Sequence, residues 1–246
     1  MKLFFHFGRY LYLMGKVFTR PEKGAMYIRQ TFRELLFIGL DSLGIVAVVS
    51  VFMGAVLTLQ VGINFVHPLI PNYLVGLTVR DTMILEFSST IICLILAGKV
   101  GSNIASEIGT MRITEQIDAL EIMGVNSASY LIMPKLIASL LFFPLLTLVS
   151  TILGVLGGLA VSIATGVVTI HDYIDGLHLF FNPFYISYSL VKMVFFALVI
   201  TTVSAYHGYF TFGGALEVGK SSTRAVVSSI ILILILNLII TQLMLT

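Results

Sequence analysis

This sequence carries very little charge. Of its 246 residues only 11% are Asp, Glu, Lys or Arg, where a soluble domain carries about 25%. Tryptophan is absent and there is 1 cysteine, Cys93. A disulfide within the chain is therefore excluded, and a lone thiol in an apolar run reads as a small buried core residue. No G-x-x-x-x-G-K-[ST] is present, which excludes ATP binding by a P-loop. There is no H-E-x-x-H, no G-x-S-x-G and no Cys–His pairing, and no serine has a base near it in sequence. No catalytic residue is expected, and the chain does not read as an enzyme. The absence of a basic stripe excludes nucleic acid as a partner.

What is present is oil: 58% of residues are hydrophobic, and they come in long runs. A membrane-spanning helix needs about 20 predominantly apolar residues. Five runs qualify, 35–65, 73–97, 136–168, 186–206 and 225–245, the second interrupted by Arg80, Asp81 and Glu86. The expected fold is an all-α integral membrane protein with five transmembrane helices and no soluble domain attached. With the N-terminus in the cytoplasm, Lys2, Arg9, Lys16, Arg20, Lys23, Arg29, Arg33, Lys99, Arg112, Lys135, Lys220 and Arg224 all fall inside, and only Arg80 and Lys192 near the outer face. The positive-inside rule then predicts N-in and C-out.

The opening "MKLFFHFGRYLYLMGKVFTRP" lacks a small-residue cleavage site and is broken by Arg9 and Lys16. It is neither a signal peptide nor a span. Its aromatic side and basic edge suit a helix lying in the membrane interface, ended by Pro21, so residues 1–34 read as an interfacial helix and connector and 35–246 as the membrane domain. "VHPLIPN", with His67, Pro68 and Pro71, forms the first outer turn. "TIHDYIDGLHLFFNP" is long enough for a short surface helix before Pro183. In it His171, Asp175 and His178 share a helix face, but no fourth ligand is evident and no metal is expected.

Small residues recur every fourth position at Ser50, Gly54, Thr58 and Gly62, at Ala97, Gly101, Ala105 and Gly109, and as a GxxxG at Gly154 and Gly158. Such stripes let helix backbones approach closely, either within one subunit or across a homodimer seam. Glu86 lies within a span, where a carboxylate is costly and faces a cavity or a partner, or reaches water at the membrane edge. Pairing with Glu86 or Asp81 would offset the cost of Lys192; so would snorkelling to the outer interface. Leu57, Gln60, Asn64 and Phe65 end the first span near the depth of Glu86 and would supply the largely apolar wall with few polar groups that a lipid site needs.

One stretch stands apart. In "EIGTMRITEQIDALEIMGV" Thr114 is placed to N-cap a helix, with Glu115 and Asp118 in the first turn and Gly124 just past the end. Ile113, Ile117, Leu120 and Met123 fall on one face, and Glu115, Asp118 and Glu121 toward the other. Pro134 precedes the next span. A helix over about 114–123 is expected on the cytoplasmic side, either tucked against its neighbours or offered to a partner.

The longer run "AGKVGSNIASEIGTMRITEQIDALEIMGV" resembles the signature of the MlaE family, the permease subunits of bacterial lipid ABC transporters that work with MCE-domain proteins. "GAVLTLQ", "LVKMVFFA" and "GYFTFGGALEVGKSSTRAVVSSI" are similar to further family segments, and the resemblance runs from about Arg33 to the end. It implies a homodimer of five-span subunits in the bacterial inner membrane, a cytoplasmic ABC ATPase subunit that binds the ATP, a periplasmic MCE-domain lipid-binding protein, and membrane phospholipid or a related lipid as cargo, moved between the inner and outer membranes. No cofactor is implied in this chain. It makes 114–123 the coupling helix through which Glu107, Arg112, Thr114, Glu115, Gln116, Asp118 and Glu121 meet or brace the ATPase. By position it lines a lipid cavity with Leu57, Gln60, Asn64, Phe65, Glu86 and Lys192. Where the family often has Arg-Glu-Leu-Gly-Pro this chain reads "LEFSS": the glutamate matches, while the base, the glycine and the proline do not. An ion-gradient-driven secondary transporter is the alternative, and an intramembrane enzyme a further one. The first predicts broken helices or inverted repeats, neither clear here; the second needs a polar constellation in the bilayer, and the sequence offers isolated residues.

Overall fold

The computed structural model describes residues 2–19, 24–65 and 71–245. Arg20, Pro21, Lys23, His67 and Pro68, expected in turns or on the cytoplasmic side, lie outside the described residues. Among the described residues there is no strand. Helix α1 (Lys2–Phe18) is followed by five helices long and apolar enough to cross a membrane: α2 (Met26–Asn64), α3 (Tyr73–Ile113), α5 (Ser127–Thr165), α7 (Phe184–Tyr209) and α8 (Ala215–Leu245). Two short helices intervene, α4 (Gln116–Ile122) and α6 (Ile170–His178). The all-α membrane fold with five spans is as the hydropathy predicts. Every long helix is longer than the apolar run that announces it, because polar turns at its ends stay helical.

Two corrections concern helix starts. Pro134 does not precede its span: it lies inside α5, which begins at Ser127. The start is set instead by Asn126, whose Oδ1 accepts from the Ser129 N–H at 3.4 Å, satisfying one of the first-turn amides that no carbonyl reaches. Likewise α8 begins at Ala215, well before the apolar run 225–245, and carries Lys220 and Arg224 on its own surface. Residues 24–34, read as connector, are helical too and supply the first turns of α2, ahead of a π-helical turn at Leu35–Leu40.

The chain divides into two compact units. The first comprises Met1–Asp41, Leu94–Phe142 and Phe195–Gln242. There α1 buries Leu13 and Val17 and leaves Phe4, Phe5, Phe7, Leu11 and Tyr12 exposed. Tyr10 Oη donates to Thr202 at 2.8 Å, fastening α1 to α7. Gly101 and Gly109 pack on Ser204 and on Val218 and Thr211, with Ala97 and Ala105 fully buried on the same face. Lys135 is buried, and its ammonium donates to Glu34 and Glu107, each at 2.7 Å. A buried charge is tolerated when it is paired this way.

The second unit comprises Ser42–Cys93, Phe143–Val194 and Leu243–Thr246. Its core gathers Val75, Val79, Met83, Val168 and Tyr173. Ser50 donates to Ser150 at 2.8 Å, and a Cβ added to Gly54 would collide with the Gly154 carbonyl. A side chain at Gly54 would force α2 and α5 apart. The small-residue stripes are thus used in packing within the chain. Arg80 is buried against the end of α6, where its Nη1 donates to the Leu177 and Leu179 carbonyls, each at 2.8 Å, and its Nε to Asp81 at 2.8 Å. A guanidinium at a helix C-terminus satisfies carbonyls that have no amide left to accept from, and favours the dipole.

Candidate functional site

Two groups of side chains stand out, and each lies within one unit. The first surrounds α4. Thr114 does not cap it: its backbone closes α3, and its hydroxyl donates back to the Thr110 carbonyl at 2.8 Å. Glu115 occupies the position before α4 in a left-handed conformation, φ 59°, with no side-chain cap. That reversal lets the chain stop one helix and start another within two residues. At the other end the expectation holds. Gly124 has φ 78°, its N–H donates to the Glu121 carbonyl at 3.0 Å, and the Val125 N–H donates to the Leu120 carbonyl at 3.1 Å. This double bond pattern is a Schellman closure, for which glycine is the low-strain residue.

The faces of α4 differ from the expected division. Ile117 is fully buried, but Met123 is 68% exposed and Ile122 88% exposed. The acidic residues do not all turn outward. Asp118 takes a 2.6 Å bond from Arg112 at the end of α3. Glu121 turns back into the fold and accepts from Ser127 at 2.9 Å, Tyr209 at 3.0 Å and Lys16 at 3.2 Å. Partial burial pushes the Glu121 carboxyl up, but the bonds from Ser127, Lys16 and Tyr209 outweigh it and hold it below the usual carboxylate range. Burial pulls Lys16 down, and its bond to Glu121 more than restores it, leaving it above the usual lysine value. Beside them Asn126 Nδ2 donates to the Lys16 carbonyl at 2.8 Å and the Thr19 carbonyl at 2.7 Å, clasping the end of α1. Helix α4 is therefore tied to α1, α3, α5 and α7. Arg112 braces it, as its position suggests; Glu107 does not, being engaged with Lys135. Gln116 and Glu115 are exposed.

The second group lies in the other unit. Lys192 is fully buried, and its ammonium donates to Glu86 at 2.9 Å, Tyr188 at 3.0 Å and the Leu85 carbonyl at 3.1 Å. Three acceptors match its three protons. Snorkelling is ruled out by that burial, and Asp81 is held by Arg80 instead. The Glu86 side chain keeps 40% of its surface exposed and takes a further bond from Thr90 at 2.9 Å. It sits in a π-helical stretch, Met83–Ile91, a distortion found often at functional sites. Leu57 and Phe65 pack on the core around Met83, while Gln60 and Asn64 are exposed on α2. Sequence reasoning missed Tyr188, although its place one turn before Lys192 is a readable signal. His171 bonds Asp175 at 2.7 Å on the exposed side of α6, and no grouping suited to a metal occurs among the described residues.

Comparisons with known proteins agree with one another. The chain is 38% identical over 221 residues to a probable ABC transporter permease protein of Rickettsia prowazekii, covering 90% of this chain and 85% of that one. It is 32% identical over 233 residues to a probable ABC transporter permease protein of Synechocystis, covering 95% and 88%. It is 34% identical over 230 residues to the chloroplastic protein TRIGALACTOSYLDIACYLGLYCEROL 1 of Arabidopsis thaliana, covering 94% of this chain and 65% of that one. The sequence model of the family described as permease MlaE matches residues 31–243, and the chain belongs to that family.

Proposed function

We propose that this chain is the membrane subunit of an ABC transporter that moves phospholipid or a related lipid between the inner and outer membranes, driven by a separate cytoplasmic ATPase subunit. The observation that carries the reading is the seating of α4. A short helix tied to four others, with two apolar side chains protruding from it, is suited to receive a push from outside and pass it on. Ile122 and Met123 form the apolar point of contact, and Glu115 and Gln116 the polar rim around it, in keeping with interfaces built from an apolar centre and a polar border. Motion of α4 reaches α1, α5 and α7 through Glu121 and α3 through the Arg112–Asp118 bridge.

Lipid as cargo is supported by the membrane fold, by the glycerolipid in the name of the Arabidopsis relative, and by Glu86. A half-exposed carboxylate neutralised by a buried lysine offers a polar handle within an apolar span. In this reading Leu57, Gln60, Asn64 and Phe65 contribute the wall of the cavity, two copies of the chain pair, and an MCE-domain protein takes or delivers lipid on the periplasmic side. The N-terminus lies in the cytoplasm and the C-terminus in the periplasm. ATP binding and hydrolysis in the partner would open and close the cavity, with no chemistry in this chain. The test is a pull-down with the ATPase subunit. Ile122→Asp with Met123→Asp, or charge reversal at Glu115 and Asp118, releases the ATPase while the membrane subunit stays monodisperse. Retention unchanged by either pair overturns the docking assignment, and lipid transfer by the chain with no nucleotide hydrolysis overturns the mechanism.

A further inference from the structure

The first unit also holds a basic pocket of about 620 Å³ that the α4 and Glu86 groups do not use. Its walls include His6 and Arg9 of α1, His207 at the end of α7, and Arg224 of α8, with the Phe210 ring at its side. The Arg9 guanidinium lies 3.8 Å from the centre of the Phe210 ring, which holds it in place by cation–π contact without using up its hydrogen-bond donors. Among the described residues neither Arg9 nor Arg224 has a carboxylate within ion-pair distance. The one acid in the lining, Glu217, is engaged by Lys220 at 2.6 Å. His6 Nδ1 is set by a 2.8 Å hydrogen bond with the Tyr206 hydroxyl. So two guanidiniums line the pocket without an ion pair among the described residues, beside two imidazoles.

We propose that this pocket binds the phosphate of a membrane phospholipid. Guanidiniums are matched to phosphate oxygens by their planar fork of donors. The membrane as source is favoured by what surrounds the pocket. Helix α1 exposes Phe4, Phe5 and Phe7, the residues of a helix lying at headgroup depth. On α8, beyond Arg224, Val227 and Ile231 are 51% and 53% exposed, giving acyl chains an apolar track that a soluble anion has no use for. The proposal rests on the interfacial placement of α1 and not on lipid transport. The site is separate from the Glu86–Lys192 pair.

The full chain in detergent is titrated with a short-chain phosphatidylglycerol and, in parallel, with inorganic phosphate, and bound species are counted by native mass spectrometry. Wild type is expected to hold the phospholipid, the Arg9→Gln/Arg224→Gln variant to bind it at least about tenfold more weakly, and Arg29→Gln, at an exposed arginine outside the pocket, to leave that affinity unchanged. Should the double variant fail to fold, Arg9→Lys and Arg224→Lys keep the charge but lose the fork, and each is expected to weaken binding by a smaller factor. Equal affinity in the arginine variants overturns the site. An equal loss of binding in Arg29→Gln makes the effect one of net charge alone and overturns it as well. Inorganic phosphate binding as tightly as the phospholipid makes this a soluble-anion pocket and overturns the lipid assignment.

Discussion

Glu86 and Lys192 share one bond but not one environment. The ammonium is fully buried and the carboxylate is 40% exposed, so the two are unequal when the partner is lost. Removing Glu86 strands a buried cation, for which a loss of about 3–5 kcal/mol is typical. Removing Lys192 leaves a carboxylate that can turn to water. Glu86→Gln should therefore lower the thermal midpoint of the detergent-solubilised protein more than Lys192→Met does, as read by a thermal-shift assay; the reverse order would mean that Lys192 has water the structure does not provide. The sequence made this pair a candidate because each charge in a span asks for a partner. It left snorkelling open because depth alone does not reveal which way a flexible lysine points. Around Glu121 the pH behaviour has a definite sign. Its carboxyl is held below the ordinary value, so its contribution is complete above that value and is lost as pH falls through the lowered one. Lys16 is raised, so its share is complete below the ordinary lysine value and is lost as pH rises through the raised one. Hydrogen exchange over 2–18 and 116–126 should accelerate at both extremes, and Glu121→Gln should abolish the acid limb. Exposed pairs of this kind contribute about 0–1 kcal/mol, so the change should be local.

At the scale of the element, the end of α4 was legible and its beginning was not. Gly124 follows an apolar periodicity, where a left-handed residue is the common helix stop. Nothing in "MRITEQ" marks Glu115 as left-handed, because glutamate has no preference for that conformation and Thr114 looks like a cap. The turn is imposed by the tie between Arg112 and Asp118 on either side of it. Gly124→Ala places a side chain at φ 78° and should cost about 1–2 kcal/mol, fraying the last turn of α4. Exchange at Val125, whose N–H closes that turn, is the measurement. Glu115→Gly should leave the turn intact, while Glu115→Pro, with φ confined near −65°, should destroy it. The same contrast explains α5. Asn126 is a good N-cap in plain sight, but Pro134 is a louder local signal, and the cap together with the bonds of Ser127 to Tyr209 and Ser129 to Tyr27 holds the first turns helical.

For the whole molecule the hydropathy carried the architecture, since runs this apolar have no alternative to spanning a membrane as helices. It did not carry lengths. Helix α5 has 39 residues, about 58 Å at 1.5 Å per residue, against a hydrocarbon core of about 30 Å; the apolar run 136–168 already exceeds that core, and the added turns at 127–135, which carry Ser127, Ser129 and Lys135, are invisible to an apolar window. Nor did it resolve how the small-residue stripes are used, because the same spacing serves packing within a chain and between chains. Orientation is testable with the chain's own chemistry. Cys93 is buried, so single cysteines introduced elsewhere report alone. Gln116→Cys should react with a membrane-impermeant maleimide only from the cytoplasmic side, and Leu245→Cys only from the periplasmic side. Labelling of Gln116→Cys from the periplasm would invert the topology.

Asn126 gives one further consequence. Its side-chain amide holds the carbonyls of Lys16 and Thr19 through a single nitrogen. Hydrolysis of that amide on ageing, at an Asn-Ser step where the following side chain is small, would replace a donor with an anionic oxygen facing two oxygens. What was an attraction becomes a repulsion, so a slow chemical change of under one dalton at this position would loosen the tail of the amino-terminal helix from the start of α5.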